Sequence, residues 1–213
     1  MVTRSENEKI IDLILTLRAI QIASKVTRFQ GLLMLQKILF LAAIDYRKLK
    51  YHVLSQSFYR WDWGPMSNEV YDDFNVLSTL GLIQGEKDSE LFITPEGEKL
   101  LDQTNDIFTN QSNLLKILET KAKEVKDLDS ILETVYAQTV FVEDMGREVP
   151  MRDIPLGKQI ITPVWSLDAK EQLNIDKSWI ETFEILINPK MRALVNRSLD
   201  EAKHGKLIPM ELD

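Results

Sequence analysis

Three segments decide the fold: Leu35-Gln36-Lys37-Ile38-Leu39-Phe40-Leu41-Ala42, then Phe58-Tyr59-Arg60-Trp61-Asp62-Trp63-Gly64-Pro65-Met66-Ser67-Asn68-Glu69-Val70-Tyr71, then Leu80-Gly81-Leu82-Ile83. The first lies within residues 32–46, which are apolar on every side through Leu33, Met34, Leu35, Ile38, Leu39, Leu41 and Ile44. That pattern predicts a central helix packed by neighbours on most faces. Arg47, Lys48 and Lys50 follow it, where cations complement the helix dipole. Phe58 to Trp61 reads as a short strand, and Gly64-Pro65 as a turn. Ser67 is a good N-cap and Glu69 sits in a first turn, where a carboxylate is favoured. Val70, Phe74 and Leu77 mark one apolar face, and Gly81 ends that helix as its C′ residue.

Working outward, residues 7–23 read as an amphipathic helix, with Ile10, Leu13, Ile14, Leu17 and Ile20 at helical spacing. Leu82-Ile83-Gln84 and Leu91-Phe92-Ile93 flank a polar tip, which predicts a hairpin. A buried helix, an aromatic strand, a second helix and a small hairpin follow in the order of a winged helix. The fold class expected is mainly α: a winged-helix-like N-terminal domain with a small β-hairpin, then a helical C-terminal region. Thr94 and Pro95 restart a helix as N-cap and N1. Residues 100–125 predict one long helix or two in series, and residues 131–136 a short one.

Residues 143–166 carry Gly146, Pro150, Pro155, Gly157 and Pro163 and read as an irregular linker, with one strand at Gln159 to Ile161. Asp176 caps a further helix bearing Trp179, Ile180, Phe183 and Ile187, and Asn188-Pro189 breaks it. Residues 190–203 give a last helix before the extended stub Leu207-Ile208-Pro209-Met210. The expected division is a domain at 1–142, a linker at 143–166 and a helical arm at 167–213.

With 44% hydrophobic and 28% charged residues, the chain has the means to bury a core. The absence of Cys excludes disulfides, Cys-based zinc sites and thiol catalysis. No run approaches the ~18 apolar residues of a membrane span, and Met1 to Lys9 does not resemble a signal peptide. A cytoplasmic location is expected. The net charge of −7 is uneven: residues 1–60 hold ten Lys/Arg against four Asp/Glu. The acidic remainder argues against non-specific nucleic-acid binding, while the basic part keeps a DNA-facing surface open.

No catalytic chemistry is legible. His52 and His204 lack metal-ligand spacing and read as surface residues. There is no Gly-rich phosphate loop and no nucleophile elbow. Carboxylates are many, but spacing marks none as an acid/base pair. The chain is expected not to be an enzyme, and to need neither cofactor nor metal.

Taken together, the Leu35-Gln36-Lys37 opening, the aromatic strand, Trp63-Gly64-Pro65-Met66-Ser67, Glu69-Val70-Tyr71 and Leu80-Gly81-Leu82-Ile83 resemble the SocA/Panacea antitoxin-associated domain. The resemblance spans roughly residues 8–140 and includes Ser130-Ile131-Leu132-Glu133-Thr134-Val135-Tyr136. It implies a mostly helical protein linked to toxin–antitoxin pairs or proteolytic adaptor function. Its partner would be a protein, a toxin encoded nearby, neutralised by contact. The chain departs from the family where a Ser/Thr-His element is usual, for it has Glu143 to Pro155 there and no His. The tail Ser198 to Pro209 resembles the ends of RelB- or Phd-type antitoxins, whose helix and extended stub wrap the toxin.

The residues expected to meet a protein partner are Tyr59, Arg60, Trp61, Trp63, Glu69, Asp72, Asp73, Leu207 and Ile208. Trp61 and Trp63 read as interface aromatics or as core or hairpin supports. The helix after Ser67 occupies the recognition-helix position, yet it carries Glu69, Asp72 and Asp73 and no Lys or Arg. Phosphates would repel it. The alternative reading is a DNA-binding regulator that contacts phosphates through Lys48, Lys50, Arg60 and Lys87. A homodimer stays open.

Overall fold

The computed structural model describes residues 4–26, 29–108, 111–162 and 169–204. The chain divides into two compact units, Met1–Ile175 and Asp176–Asp213. The protein is mainly helical, with small strand pairs.

Two helices make the interior of the first unit, α1 (Glu6–Val26) and α2 (Gly31–Leu49). The expectation for α2 holds, for every residue from Met34 to Ile44 is buried. Helix α1 is more buried than an amphipathic helix should be. Ile10, Ile11, Leu13, Ile14, Leu15 and Leu17 are buried, and so are Asp12 and Thr16. Polar partners from other elements satisfy those two, so α1 needs no wet face. Gly31 opens α2 with φ +68°, and a Cβ there would lie 2.3 Å from the Lys87 carbonyl oxygen. The close approach admits the hydrogen bond from Leu32 N to that oxygen, 2.7 Å.

The chain then runs through β1 (Tyr51–His52), β2 (Phe58–Trp61), β3 (Gly64–Met66) and α3 (Asn68–Thr79). Ser67 caps α3 as expected, accepting from Val70 N. Gly81 follows at φ +70°. The expected small hairpin is β4 (Ile83–Gln84) paired antiparallel with β5 (Phe92–Ile93). Thr94 Oγ1 caps α4 (Pro95–Phe108) by accepting from Gly97 N at 3.1 Å. Then come α5 (Ser112–Glu124) and α6 (Leu128–Tyr136), so the long apolar pattern is two helices in series. Helix α5 packs on both α1 and α2.

The expected linker at 143–166 is instead part of the first unit over its described residues. Strands β6 (Thr139–Val142) and β7 (Arg147–Pro150) form an antiparallel pair. Strand β8 (Gln159–Ile161), expected from the sequence, adds to the far edge of β2 and makes the sheet β3-β2-β8. Strand β9 (Glu171–Gln172) pairs parallel with β1. Glycine and proline punctuate short strands here, and β8 and β9 find their partners far upstream in the chain. The first unit therefore reaches Ile175, not residue 142.

The second unit contains α7 (Lys177–Ile187) and α8 (Pro189–Lys203). Asp176 and Asn188 cap them, accepting from Ser178 N and from Lys190 and Met191 N. Helix α8 leaves Met191, Leu194, Val195 and Leu199 exposed. Among the described residues, no helix is long and apolar enough to cross a membrane.

Candidate interaction site at the tryptophan hairpin

The two sequence motifs meet. Gln36, buried on α2, clasps the Ser67 backbone with both ends of its amide. Its Nε2 donates to Ser67 O at 3.0 Å and its Oε1 accepts from Ser67 N at 2.8 Å. Lys37 is wholly buried, and its Nζ donates to Pro65 O at 2.8 Å. Burial first, and then the nearby Arg60 cation, lower the Lys37 pKa to about 7. Gly64 has φ +88°, the left-handed region that favours glycine, and a Cβ there would be in ordinary contact with Lys37 Cε at 3.5 Å. The Leu35-Gln36-Lys37 and Trp63–Ser67 segments are thus the two sides of one contact. It fixes the strand β3, the cap of α3 and the hairpin turn against the central helix.

That turn is where the aromatics go. Strands β2 and β3 pair from Tyr59↔Met66 to Trp61↔Gly64, which leaves Asp62 and Trp63 at the tip. Trp61 is 50% and Trp63 65% exposed, so neither is a core support. On the other edge, Arg60 N donates to Lys158 O at 2.8 Å and Gly157 N to Arg60 O at 2.7 Å. Leu156, beside Gly157, is exposed as well. Phe58 anchors the inner end of β2 edge-on against Phe40, centroids 5.5 Å apart. Tyr59 is half-buried, and burial followed by the Glu69 charge raises its pKa.

The Arg60 guanidinium lies over the Tyr136 ring, 5.2 Å from its centroid. The Tyr136 hydroxyl donates to Asp62 O at 3.1 Å, tying α6 to the hairpin turn. Arg60, Arg152, Asp129, Leu132, Glu133 and Tyr136 line an open cleft of about 630 Å³.

Other expected site residues lie elsewhere. Glu69 is half-buried and accepts from the Ser67 hydroxyl at 2.9 Å, while Asp72 is exposed. Asp73 does not belong to an acidic outer face: it is buried and points inward to Arg4, in two hydrogen bonds of 2.9 and 3.0 Å. Leu207 and Ile208 lie outside the described residues. Of the four cations of the DNA reading, Lys87 touches the N-terminal end of α2 through Leu32, and its Nζ lies 5.2 Å from the Tyr71 ring centroid. Lys48 and Lys50 stand at the other end of that helix, about 24 Å away at ~1.5 Å per residue. Arg60 is on the hairpin. The structure does not gather them.

Sequence reasoning missed the ionic cluster beneath α1. Arg4 Nη1 also donates to Asp12 Oδ2 at 2.8 Å, Ser55 N donates to Asp12 Oδ1 at 2.9 Å, and Gln56 Nε2 donates to Asp73 Oδ2 at 2.9 Å. Burial, and next the Asp73 charge, raise the Asp12 pKa. Burial works against the charge on Arg4, but the bonds and attraction to Asp73 and Asp12 outweigh it and lift its pKa above the ordinary value. His52 is not a surface residue either: it is buried, with Nε2 3.1 Å from Ser55 Oγ and 3.2 Å from Glu8 Oε1. Burial lowers its pKa. The available signal was Asp12 and Thr16 inside an otherwise apolar helix. His204 is exposed at the end of α8, as expected.

Comparison of the chain with protein-family models, curated proteins and solved structures finds no match.

Proposed function

We propose that this chain is an antitoxin-like protein-interaction module that neutralises or delivers a partner protein, a toxin, by binding it through the tryptophan hairpin. One observation carries the reading. Two large aromatics, Trp61 and Trp63, stand exposed on a turn that buried hydrogen bonds from Gln36 and Lys37 hold in place. Proteins rarely leave such side chains in water on a rigid mount without use, and tryptophans dominate the energetics of protein interfaces. A pre-set turn also lowers the ordering entropy lost on binding. The SocA/Panacea resemblance supplies the partner class, and the residues that carry it are the ones that build this mount.

The mechanism is occlusion, the hairpin covering the working surface of the partner. The DNA-binding alternative loses support from the dispersal of Lys48, Lys50, Arg60 and Lys87. The test is co-expression with the product of the adjacent gene. Growth arrest by the neighbour alone, rescue by this chain and a co-purifying complex are expected. Rescue that survives Trp61→Ala/Trp63→Ala unchanged would place the contact elsewhere, and no complex at all would remove the reading.

A further inference from the structure

The cleft between β2 and α6 has a charge arrangement that the hairpin's aromatics do not explain. Arg60 Nε and Nη1 are buried and have no hydrogen-bond partner among the described residues. The guanidinium is held in place over Tyr136. Arg60 is one of the residues that line the cleft. Arg152 lines the same cleft, and among the described residues no carboxylate pairs with either arginine. A half-enclosed guanidinium without an anion is an unfavourable state, and binding a counter-charge relieves it. The buried Lys37 behind Arg60 feels that charge, which is the second of the two causes depressing its basicity.

The other wall selects among anions. Asp129, Leu132, Glu133 and Tyr136 recur at helical spacing along one face of α6. Two carboxylates there repel a polyphosphate backbone but accept a nearby cation. The cleft therefore fits one compact anion with a basic group beside it. It also abuts the turn between Trp61 and Trp63, because Tyr136 bonds Asp62 O.

We infer that this cleft takes a carboxylate presented by a peptide segment of the partner, with Arg60 and Arg152 holding the carboxylate and Asp129 and Glu133 holding an adjacent basic side chain. The inference rests on the reading of the hairpin as a protein-binding face, but its test needs no partner. The carboxylate has two sources, an acidic side chain or a chain terminus.

The isotopically labelled full chain is titrated with N-acetyl-Glu-Lys-amide, with its Gln counterpart, with N-acetyl-Gln-Lys bearing a free carboxyl end, and with inorganic phosphate, while the Arg60 Nε–H and Tyr136 ring resonances are followed by NMR. Saturable shifts with one carboxylate peptide, and none with the Gln-Lys-amide that lacks a carboxylate, are expected; which peptide binds identifies the source. Affinity should fall by about tenfold or more in R60Q, and less in R60K, which keeps the charge but not the flat guanidinium that lies over Tyr136. Should R60Q fail to fold, R152Q is read in the same way, with a several-fold loss expected. No saturable shift from either carboxylate peptide, or tighter binding of phosphate, overturns the assignment and leaves the hairpin reading to its own co-expression test.

Discussion

Helix α3 and the hairpin before it dispose of their conspicuous residues in opposite ways. Asp73 turns under α1 and is neutralised by Arg4, while Trp61 and Trp63, which a core would have accepted, stand in water. The buried cluster holds charges where water is scarce, and the tip holds apolar surface where water is plentiful. Both arrangements are unfavourable by themselves. The first is compensated within the chain by Arg4, Gln56 and the Ser55 backbone. The second has no internal compensation, and that asymmetry separates a residue that serves the fold from one that serves a partner.

The strongest way to break this contrast is to remove the compensation. Arg4→Met leaves Asp12 and Asp73 buried without their cation, and breaking a buried pair in this way costs about 3–5 kcal/mol. Urea unfolding should show that loss at neutral pH. Burial raises both carboxyl pKa values, so the folded variant holds protons that the unfolded chain has released, and its stability must fall as pH rises from the ordinary carboxyl range upward. The deficit relative to wild type should shrink on acidification. A variant as stable as wild type at neutral pH would mean that Arg4 is not what holds the pair.

Lys37 sharpens the same contrast from the hairpin side. Its folded pKa of about 7 lies below the unfolded 10.5. Between these values the unfolded chain binds a proton that the folded chain does not, so stability contributed at this site climbs as pH rises through the window and is lost as pH falls. The slope is at most about 1.4 kcal/mol per pH unit. Lys37→Met should abolish that slope while losing the donor to Pro65 O. Parallel stability-versus-pH curves for the two proteins would show that Lys37 is not held neutral.

How much of this was legible follows the range of the interactions. Helices α2, α3, α7 and the short hairpin β4–β5 were readable because apolar spacing, Ser67, Asp176 and Gly81 act within a turn or two of themselves. Strand β8 was legible as a strand, but the place of residues 143–162 in the first unit was not, because β8 completes its sheet with Tyr59 and Phe58, far upstream in the chain. The motif residues Gln36, Lys37 and Ser67 were visible as a spacing, but nothing local showed that they touch. Asp73 was misplaced for a related reason. Its partner Arg4 lies 69 positions upstream, and without that cation an acidic residue on α3 belongs in water.

At the tip the expected effects change type. Trp63→Ala should leave stability within about 0.5 kcal/mol of wild type, as for other surface changes, and weaken the complex with the partner by about 2 kcal/mol or more. Titration calorimetry paired with thermal unfolding separates the two. A loss of stability without a loss of affinity would return Trp63 to the fold.

Asp72 sets the lower bound. It lies one residue from Asp73 on the same helix, and it is exposed with no hydrogen bond or ion pair of its own among the described residues. As a rim charge it affects encounter more than the bound state. Asp72→Asn should change stability by no more than about 0.5 kcal/mol and shift the association rate modestly, with a weaker salt dependence, as followed by stopped flow at several ionic strengths. A basic partner surface slows the variant's association; an acidic one speeds it. The sign of this small effect reports the partner's charge directly, and Asp73→Asn, buried a residue away, should leave that salt dependence unchanged while lowering stability. If Asp73→Asn altered association and Asp72→Asn did not, the division of α3 into an inner and an outer carboxylate would be the wrong way round.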